Sequence, residues 1–452
     1  MQAIRFALCA TTLLLAAQAT LAAATAEEAA QLKTTLTPLG AERNGNKEGT
    51  IPAWTGGYTQ PIPGYEPGGR RPDPFASDKP LYSVTAQNLA QYADKISDGH
   101  QAMFKKYPNY RIDVYTTRRT AAAPQWVYDN TFRNATQAKT TNNGVSVAGA
   151  YGGIPFPIPK TGSEAMWNHI LTWQGEAARW LFQTWIVTAD GKRLISSDSV
   201  IDYQYPYYYK DGSLETFKGD YMVLRLVTEG PPQKAGEAIV ARYPTDMVGV
   251  GPRLWQYLAG QRRVRKLPNA LYDTPSFVTA GISNFDEIWV FGGPQDRYDW
   301  KLVGKKEMLI PYNSNKSLQP SKIDAVMSER FLNPDQMRWE LHRVWVVEAT
   351  LADGKRHVMP KRRFYLDEDT WLAVLADGWD QKGQLWKTFW YQPVLASELP
   401  GVIGGSYGHY NLQTGDWIAN QMVSEKPSHI SFQKRLPDSY FTGEAMAGES
   451  VR

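Results

Sequence analysis

Residues 261–313 read QRRVRKLPNALYDTPSFVTAGISNFDEIWVFGGPQDRYDWKLVGKKEMLIPYN. A basic run with strand-like composition, Arg262–Lys266, leads through a connection rich in Pro, Asn and Gly to a cluster of aromatic residues, and Lys301–Ile310 has the composition of a second strand. Such a stretch can pair strands and bury large rings, but it contains no obvious nucleophile. It therefore predicts a β-rich scaffold that holds something apolar.

The composition around this stretch is that of a large folded core. The chain of 452 residues is 42% hydrophobic and contains 16 Trp, 25 Tyr and 15 Phe. This is enough for one large domain or two closely packed ones, and it excludes disorder of the whole chain. The formal net charge of +4 is too small to indicate a nucleic-acid partner.

The N-terminus has the pattern of a secretory signal peptide. Arg5 precedes a short apolar run, Phe6–Ala17, and small residues in A-x-A arrangements follow. We predict that residues 1–26 are removed by cleavage near Ala26 and that the product is exported to a bacterial periplasm. Cys9 lies within this segment, so the mature chain is expected to lack disulfides, thiol chemistry and thiolate metal sites.

Residues 27–80 are rich in Pro and Gly, which prevents long regular elements. A solvated linker commonly has this composition. However, Ile51, Trp54 and Ile62 are large apolar residues that such a linker would not need. We therefore predict an extended N-terminal arm that wraps around the body of the protein.

The remainder, residues 81–452, is predicted to form a single large β-rich domain. Helical spacing and capping residues predict helices near 85–106, 164–173 and 321–332. The predicted strands are Val114–Thr120, Trp126–Phe132, Trp180–Thr188, Lys192–Tyr203, 341–351, 356–366, 371–376, 384–391 and 405–422.

Successive strands with few helices between them define the expected fold. Asp190-Gly191 suits the positive φ angles of a type I′ turn, so the strands on either side of it should form a hairpin. The expected fold class is mainly β (α+β), with a large curved antiparallel sheet or half-barrel and helices packed on its concave face.

One serine motif is a candidate catalytic site. Gly404–Gly408 matches the G-x-S-x-G pattern of a hydrolase nucleophile elbow, with Ser406 as the nucleophile. That motif requires a helix directly after the serine, whereas the following residues have the composition of a strand. A glycine-rich turn at a corner of the sheet is the favoured interpretation.

Other polar clusters are interpreted structurally, so no catalytic residue, cofactor or metal site is predicted. None of the six histidines has the spacing of a recognised ligand pair. Asp367–Asp369 is expected to be a solvated turn. The basic runs Arg262–Lys266 and Lys361–Arg363 could bind lipid head groups or an anionic partner, but solvent-exposed edges of strands are favoured.

The excess of aromatic residues favours an apolar cavity, although a filled aromatic core remains the alternative. Candidate residues for its lining are large, apolar and close to distinctive sequence blocks. They are Trp167, Trp173, Trp255, Phe285, Trp289, Trp345 and Trp390.

Several blocks resemble a large Gram-negative family of exported proteins, domain of unknown function 1329. They are Leu36–Arg43, Gly49–Gly57, Gly153–Pro157, Glu164–His169, Tyr298–Met308, Glu340–Glu348 and Lys361–Asp369. The family is distantly similar to the periplasmic lipoprotein localisation factors A and B, so the resemblance implies a curved half-barrel around an apolar cavity. It also implies association with inner-membrane efflux-type transporters and outer-membrane channel-like proteins, and it provides no catalytic residues.

These observations predict a non-catalytic periplasmic carrier or accessory protein that binds a lipid or another hydrophobic small molecule for transport across the envelope. One alternative is a docking protein for an envelope transporter, with no ligand of its own. A second alternative is an envelope serine hydrolase that uses Ser406.

Overall fold

The computed structural model describes residues 23–428 and 430–449. Strands account for about 34% of the chain and helices for about 18%. The helices are α1 Ala26–Ala30, α2 Asp98–Lys106, α3 Gln125–Gln137, α4 Gly162–Ile170, α5 Ile323–Val326 and α6 Gly443–Glu449. The strands are β1 Tyr82–Val84, β2 Ile112–Tyr115, β3 Lys139–Thr141, β4 Ser146–Ala148, β5 Ala177–Val187, β6 Arg193–Gln204, β7 Asp220–Gly230, β8 Ala238–Pro244, β9 Arg253–Leu258, β10 Arg263–Lys266, β11 Tyr298–Pro311, β12 Trp339–Leu351, β13 Lys361–Asp367, β14 Ala373–Trp379, β15 Leu385–Ala396, β16 Gly401–Asn411, β17 Trp417–Met422 and β18 Ile430–Phe432.

One 16-stranded sheet contains two antiparallel meanders. The first runs in order from β5 to β10, and the second runs in order from β11 to β17. Antiparallel pairing of β17 with β5 joins them into one surface. β2 pairs in parallel with the start of β12, and β18 pairs with β5 beyond β17. The prediction of a mainly β protein with a large curved antiparallel sheet is confirmed.

The chain between β10 and β11 has to cross a face of the sheet. These two strands are consecutive in sequence but lie at opposite ends of the row of paired strands. We call residues 267–297 the crossing segment. Its regular structure is limited to two 3₁₀ turns, Phe277–Thr279 and Phe285–Glu287.

Helices pack on both faces of the sheet. α4 and the crossing segment lie on the concave face, where His169 of α4 contacts the main chain of Trp289. Lys387 in β15 also points to the crossing segment, whereas the next residue, Thr388, contacts His100 in α2. Because successive side chains of a strand point to opposite faces, α2 lies on the other face of the sheet. α6 covers the outer side of β8 and β9.

The region from 34 to 80 is an irregular, extended chain held by individual contacts. Ile51 and Ile62 are buried, and Trp54 donates an indole hydrogen bond to the main-chain oxygen of Ala121 at 2.8 Å. Arg71 is fully buried and pairs with Glu398. These contacts hold residues 34–80 against the body of the protein.

Residues 1–22, which include Cys9 and most of the predicted signal peptide, lie outside the described residues, as does His429. At the start of the described chain, Thr25 caps α1 in a reciprocal arrangement with Glu28. Within the described ranges, the structure contains no helix that is both long and apolar enough to cross a membrane.

The predicted hairpin is confirmed as β5 and β6, but the predicted strand Trp126–Phe132 is wrong. These residues belong to helix α3, whose buried positions include Val127, Thr131 and Asn134. Aromatic and β-branched residues favour a strand locally, but the buried side chains recur at helical spacing. Asn134 also donates to the main-chain oxygens of Gly153 and Ile154, which fixes the helix against that loop.

Other predicted elements have shorter bounds. The helix predicted at 321–332 is reduced to α5, because an isolated bridge between Met327 and Leu332 follows it directly. The first part of the helix predicted at 85–106 consists of two 3₁₀ turns, and only α2 is α-helical there. The strand predicted at Val114–Thr120 corresponds to β2, which ends at Tyr115.

Candidate functional site: an enclosed apolar cavity

Alternate residues of β5 to β8 form the floor of a cavity on the concave face. Phe182 and Thr184 belong to β5, and Leu224 and Leu226 belong to β7. Ile239, Ala241 and Tyr243 follow the same alternation in β8. This period of two is what a strand requires to direct one set of side chains toward a single face. The crossing segment covers this floor through Phe285, Ile288 and Trp289.

The central cavity has two adjoining lobes. The smaller lobe has a volume of about 50 Å³ and lies near α4, where His169 and Ile170 contribute to its wall. The larger lobe has a volume of about 80 Å³ and lies over β6 to β8. Tyr203, Trp289 and Gln421 line both lobes and therefore form the partition between them.

The crossing segment forms the roof of the cavity, and its main chain is strained where it reaches this partition. Trp289 and Val290 have positive φ angles of 52° and 73°, which are unfavourable for large and β-branched residues. Arg362 holds this turn by donating to the main-chain oxygen of Val290 at 3.3 Å.

His169 holds the same turn from the side of α4. Its Nδ1 accepts a hydrogen bond from the main-chain N–H of Ala373 at 3.0 Å, so Nε2 carries the proton and donates to the main-chain oxygen of Trp289 at 3.1 Å. Burial lowers the pKa of His169 to about 4, and the imidazole is therefore neutral at pH 7.

Two consecutive acidic residues fasten the crossing segment to the sheet. Asp286 accepts from Arg362 at 2.8 Å and from His357 at 2.9 Å, and its neighbour Glu287 accepts from Lys387 at 2.8 and 2.9 Å. All five side chains are buried. Burial alone would raise the pKa of Asp286, but the contacts with Arg362 and His357 lower it to about 2. The roof is thus attached by charges that would be costly to separate.

Two of the seven residues predicted to line a cavity, Phe285 and Trp289, are found in its wall. Trp167 is fully buried beside Tyr221, which lines the smaller lobe. Trp390 lines a separate cavity of about 20 Å³.

The other three candidates lie elsewhere. Trp173 packs edge-on against Trp126 and Tyr208. Trp345 stacks on Trp371 at 6.2 Å, and Trp255 faces the outer layer formed with α6.

Sequence reasoning missed the polar part of the wall, which consists mainly of tyrosines and Gln421. Tyr203 ends the predicted hairpin and Tyr205 follows two residues later, an alternation that could have placed both on the buried face. Tyr221, Tyr243 and Tyr407 come from three other strands, and only tertiary structure brings them together.

The run Asp367–Asp369 was predicted to be a solvated turn, and this prediction is wrong because all three residues are almost fully buried. Arg119 donates to both carboxylate oxygens of Asp369, at 2.9 and 2.7 Å. Glu368 accepts from Arg343 at 2.7 Å and from Lys305 at 2.9 Å. Glu368 and Asp369 can be buried because these cations neutralise them.

His342 and two of these acids have a spacing that could hold a metal ion. Its Nδ1 lies 3.7 Å from Asp367 and 3.8 Å from Asp369, while its Nε2 lies 3.1 Å from Glu340. Asp369 is already engaged at both oxygens by Arg119, and a dication placed there would face this guanidinium. The geometry therefore favours a buried charge network over a metal centre.

The two basic runs differ in environment. β10 is the last strand of its meander, and Arg263, Arg265 and Lys266 are exposed, as expected for the edge of a sheet. In the second run Arg362 is fully buried against Asp286, so its interpretation as part of a solvent edge is wrong.

Ser406 does not have the geometry of a nucleophile elbow. It lies within β16, and the next element is another strand, β17. Two residues, Gly405 and Ser406, oppose the single residue Gln392, which defines a β-bulge instead of the predicted glycine-rich turn. The hydroxyl of Ser406 donates to the side chain of Gln392 at 3.1 Å.

The fold and cavity define a class of mainly β proteins in which a curved sheet and a crossing segment enclose an apolar space. The chain belongs to the family described as protein of unknown function (DUF1329), which matches residues 83–447. An uncharacterized protein of Pseudomonas aeruginosa is 37% identical over 445 residues, which cover 96% of this chain and 95% of that relative. Family membership predicted from the sequence is confirmed.

Solved structures show more distant similarity. A DUF1329 family protein from Desulfovibrio piger is 16% identical with a TM-score of 0.41, covering 60% of this chain and 92% of that chain. A putative outer membrane lipoprotein-sorting protein domain from Vibrio parahaemolyticus is 14% identical with a TM-score of 0.41, at the same two coverages of 60% and 92%. A LolA superfamily protein from Nitrosomonas europaea is 12% identical with a TM-score of 0.37, covering 64% of this chain and 100% of that chain.

Proposed function

We propose that this protein is a periplasmic, non-catalytic carrier that binds a lipid or another hydrophobic small molecule in the central cavity. The observation that carries the proposal is the apolar cavity between the sheet and the crossing segment, with Phe182, Leu224 and Leu226 in its floor. Transfer of an alkyl chain from water to such a wall is favourable by about 25 cal/mol per Å² of buried apolar surface.

Uptake requires the roof to move. Lobes of about 50 and 80 Å³ are smaller than the several hundred Å³ that sites for lipid-sized ligands provide. The crossing segment is the element that has to move, because it covers the floor and has little regular structure. Opening has to separate the buried charge pairs of Asp286 and Glu287, so it is the costly step of uptake. The structure then corresponds to the closed state of the carrier.

Native mass spectrometry of protein purified from its own periplasm, followed by organic extraction and lipid analysis, tests this function. A stoichiometric hydrophobic passenger is expected. Leu226→Trp should reduce its occupancy severalfold, because the indole fills the larger lobe. Val227→Trp is the matched control, since the next residue of β7 faces the outer layer. Reproducible absence of a passenger, together with no uptake of fluorescent fatty-acid or terpenoid probes, would contradict the carrier function.

A docking protein without a ligand is the second candidate, and the small volume of the closed cavity favours it. Its partners would be an inner-membrane efflux-type transporter and an outer-membrane channel-like protein, as the family resemblance implies. This function predicts that Leu226→Trp leaves transport in the cell unchanged. Loss of transport in this variant, but not in Val227→Trp, would exclude it.

A further inference from the structure

A β-bulge directs one amide side chain into the centre of the cavity. Between the pairs Ala419–Trp185 and Met422–Gln183, two residues of β17 oppose the single residue Thr184 of β5. Gln421 occupies this bulge with a φ of 58°, and its side chain reaches the partition between the two lobes. Bulges commonly redirect a side chain in this way beside functional sites.

The amide of Gln421 is only partly satisfied. Its Nε2 donates to the hydroxyl of Tyr203 at 2.9 Å, whereas Oε1 is buried and has no partner within the described part of the protein. Leaving a buried polar atom unpaired is unfavourable, because the atom loses water and gains nothing in return. A ligand that donates a hydrogen bond at this point would remove that penalty.

Tyrosines line both lobes together with Gln421. Tyr205 lines the smaller lobe, and Tyr243 and Tyr407 line the larger one. Their hydroxyls make no hydrogen bond with any described residue. Burial raises the pKa of each of these tyrosines, which keeps them protonated as donors that can also accept.

Among the described residues, the lining contains no charged side chain that could pair with an anion. Among the described residues that form the two lobes there is no Lys, Arg, Asp or Glu, and the single imidazole, His169, is neutral. A phosphate or carboxylate brought into this wall would lose its hydration without gaining a counter-ion. A neutral group that both donates and accepts hydrogen bonds is complementary to the Gln421 oxygen and the phenol hydroxyls of the wall.

We propose that the ligand of the central cavity is a lipid whose polar end is an uncharged hydroxyl, such as a long-chain or terpenoid alcohol, and that Gln421 accepts its hydrogen bond. This specificity rests on the carrier function proposed above. A site that hydrogen-bonds a hydroxyl discriminates against analogues that lack it, because its own polar groups would otherwise remain unpaired.

The test compares compounds with the same chain and different polar ends. Radiolabelled hexadecan-1-ol, hexadecanoate, hexadecyl phosphate and hexadecane are each offered to the delipidated protein from phosphatidylcholine vesicles at pH 9, and protein-bound label is counted after the vesicles are removed. Binding of hexadecan-1-ol should exceed that of each of the other three compounds at least tenfold. Gln421→Leu should reduce hexadecan-1-ol binding about tenfold, to the level of hexadecane in the same variant. Tyr92→Phe, whose ring stacks on Tyr82 and lines neither lobe, should leave the preference for hexadecan-1-ol unchanged.

The outcomes separate the two proposals. Equal binding of hexadecan-1-ol and hexadecane, or stronger binding of either anion, would overturn the specificity and leave the carrier function in place. No binding of any of the four compounds would contradict the carrier function itself. If circular dichroism shows that Gln421→Leu is unfolded, Tyr243→Phe with Tyr407→Phe tests the same hydroxyl recognition, and unchanged hexadecan-1-ol binding in that variant would overturn it.

Discussion

Asp377 is a carboxyl group buried within the sheet, where Thr388 donates to it at 2.9 Å and Ser97 at 3.3 Å. Burial raises its pKa from the ordinary value of 3.8 to about 6, because these neutral donors compensate only part of the lost hydration. The folded protein therefore binds this proton more tightly than the unfolded chain does. The associated stability is present below about pH 4 and is lost as pH rises through about 6.

Asp377→Asn should remove this pH dependence. Between pH 4 and pH 7 the wild type should lose about 3 kcal/mol relative to the variant, since each pKa unit corresponds to about 1.36 kcal/mol. Urea unfolding of both proteins at several pH values in this interval measures the difference. Parallel stability curves for the two proteins would contradict the prediction.

At the residue scale, the sequence predicted the positions of buried apolar residues better than the positions of charged residues. Phe285 and Trp289 were identified because large rings favour buried, ligand-facing positions. Asp367–Asp369 and Arg362 were assigned to solvent, since charged residues are rarely buried unless paired. Their partners Arg119 and Asp286 are distant in sequence, and spacing alone therefore could not reveal the pairs.

At the scale of elements, the crossing segment depends on paired charges more than on secondary structure. Arg362→Met would remove one of the two buried partners of Asp286 and leave His357 as the other. Because the Asp286 carboxylate would then lack its guanidinium, we expect a loss of about 3–5 kcal/mol in the free energy of unfolding. The double variant Arg362→Met with Asp286→Leu should recover much of this loss, because it removes both charges. Urea unfolding and hydrogen exchange of the crossing segment measure the two effects.

The adjacent residue provides the control for this experiment. Arg363 points to the other side of β13 and pairs with Glu348 at 2.7 Å and with Asp98 at 2.9 Å. Because these groups are partly exposed, Arg363→Met should cost at most about 1 kcal/mol. Equal destabilisation by Arg362→Met and Arg363→Met would show that the buried pair does not fasten the roof.

Elements with regular periodicity were predictable, whereas α3 and the region after α5 were not. The β5–β6 hairpin has alternating residues and an Asp-Gly turn, so its local preferences agree with the fold. In α3, aromatic and β-branched residues favour a strand, and the helix is stabilised by packing that a single sequence does not display.

At the scale of the whole molecule, the N-terminal arm is held by arginines instead of a sheet or a long helix. Arg70 donates to the main-chain oxygens of Leu318 and Pro320 at 3.0 and 3.1 Å, and also to those of Ser424 and Lys426. The same guanidinium therefore links the arm to two segments that are distant in sequence. A hydrogen bond to a charged group contributes about 1.5–3 kcal/mol, so losing this group should favour local detachment of the arm.

Arg70→Ala should accelerate chymotrypsin cleavage after Tyr58 or Tyr65 at least tenfold, while the urea midpoint of the sheet, followed by tryptophan fluorescence, changes little. Proteolysis tracks the population of the locally open form when opening and closing are fast relative to cleavage. Lys79→Ala is the matched control, because Lys79 belongs to the same arm but is exposed. Equal cleavage rates in the two variants would mean that the buried apolar residues Ile51 and Ile62 are sufficient to hold the arm, and that the arginine contacts add little to its attachment.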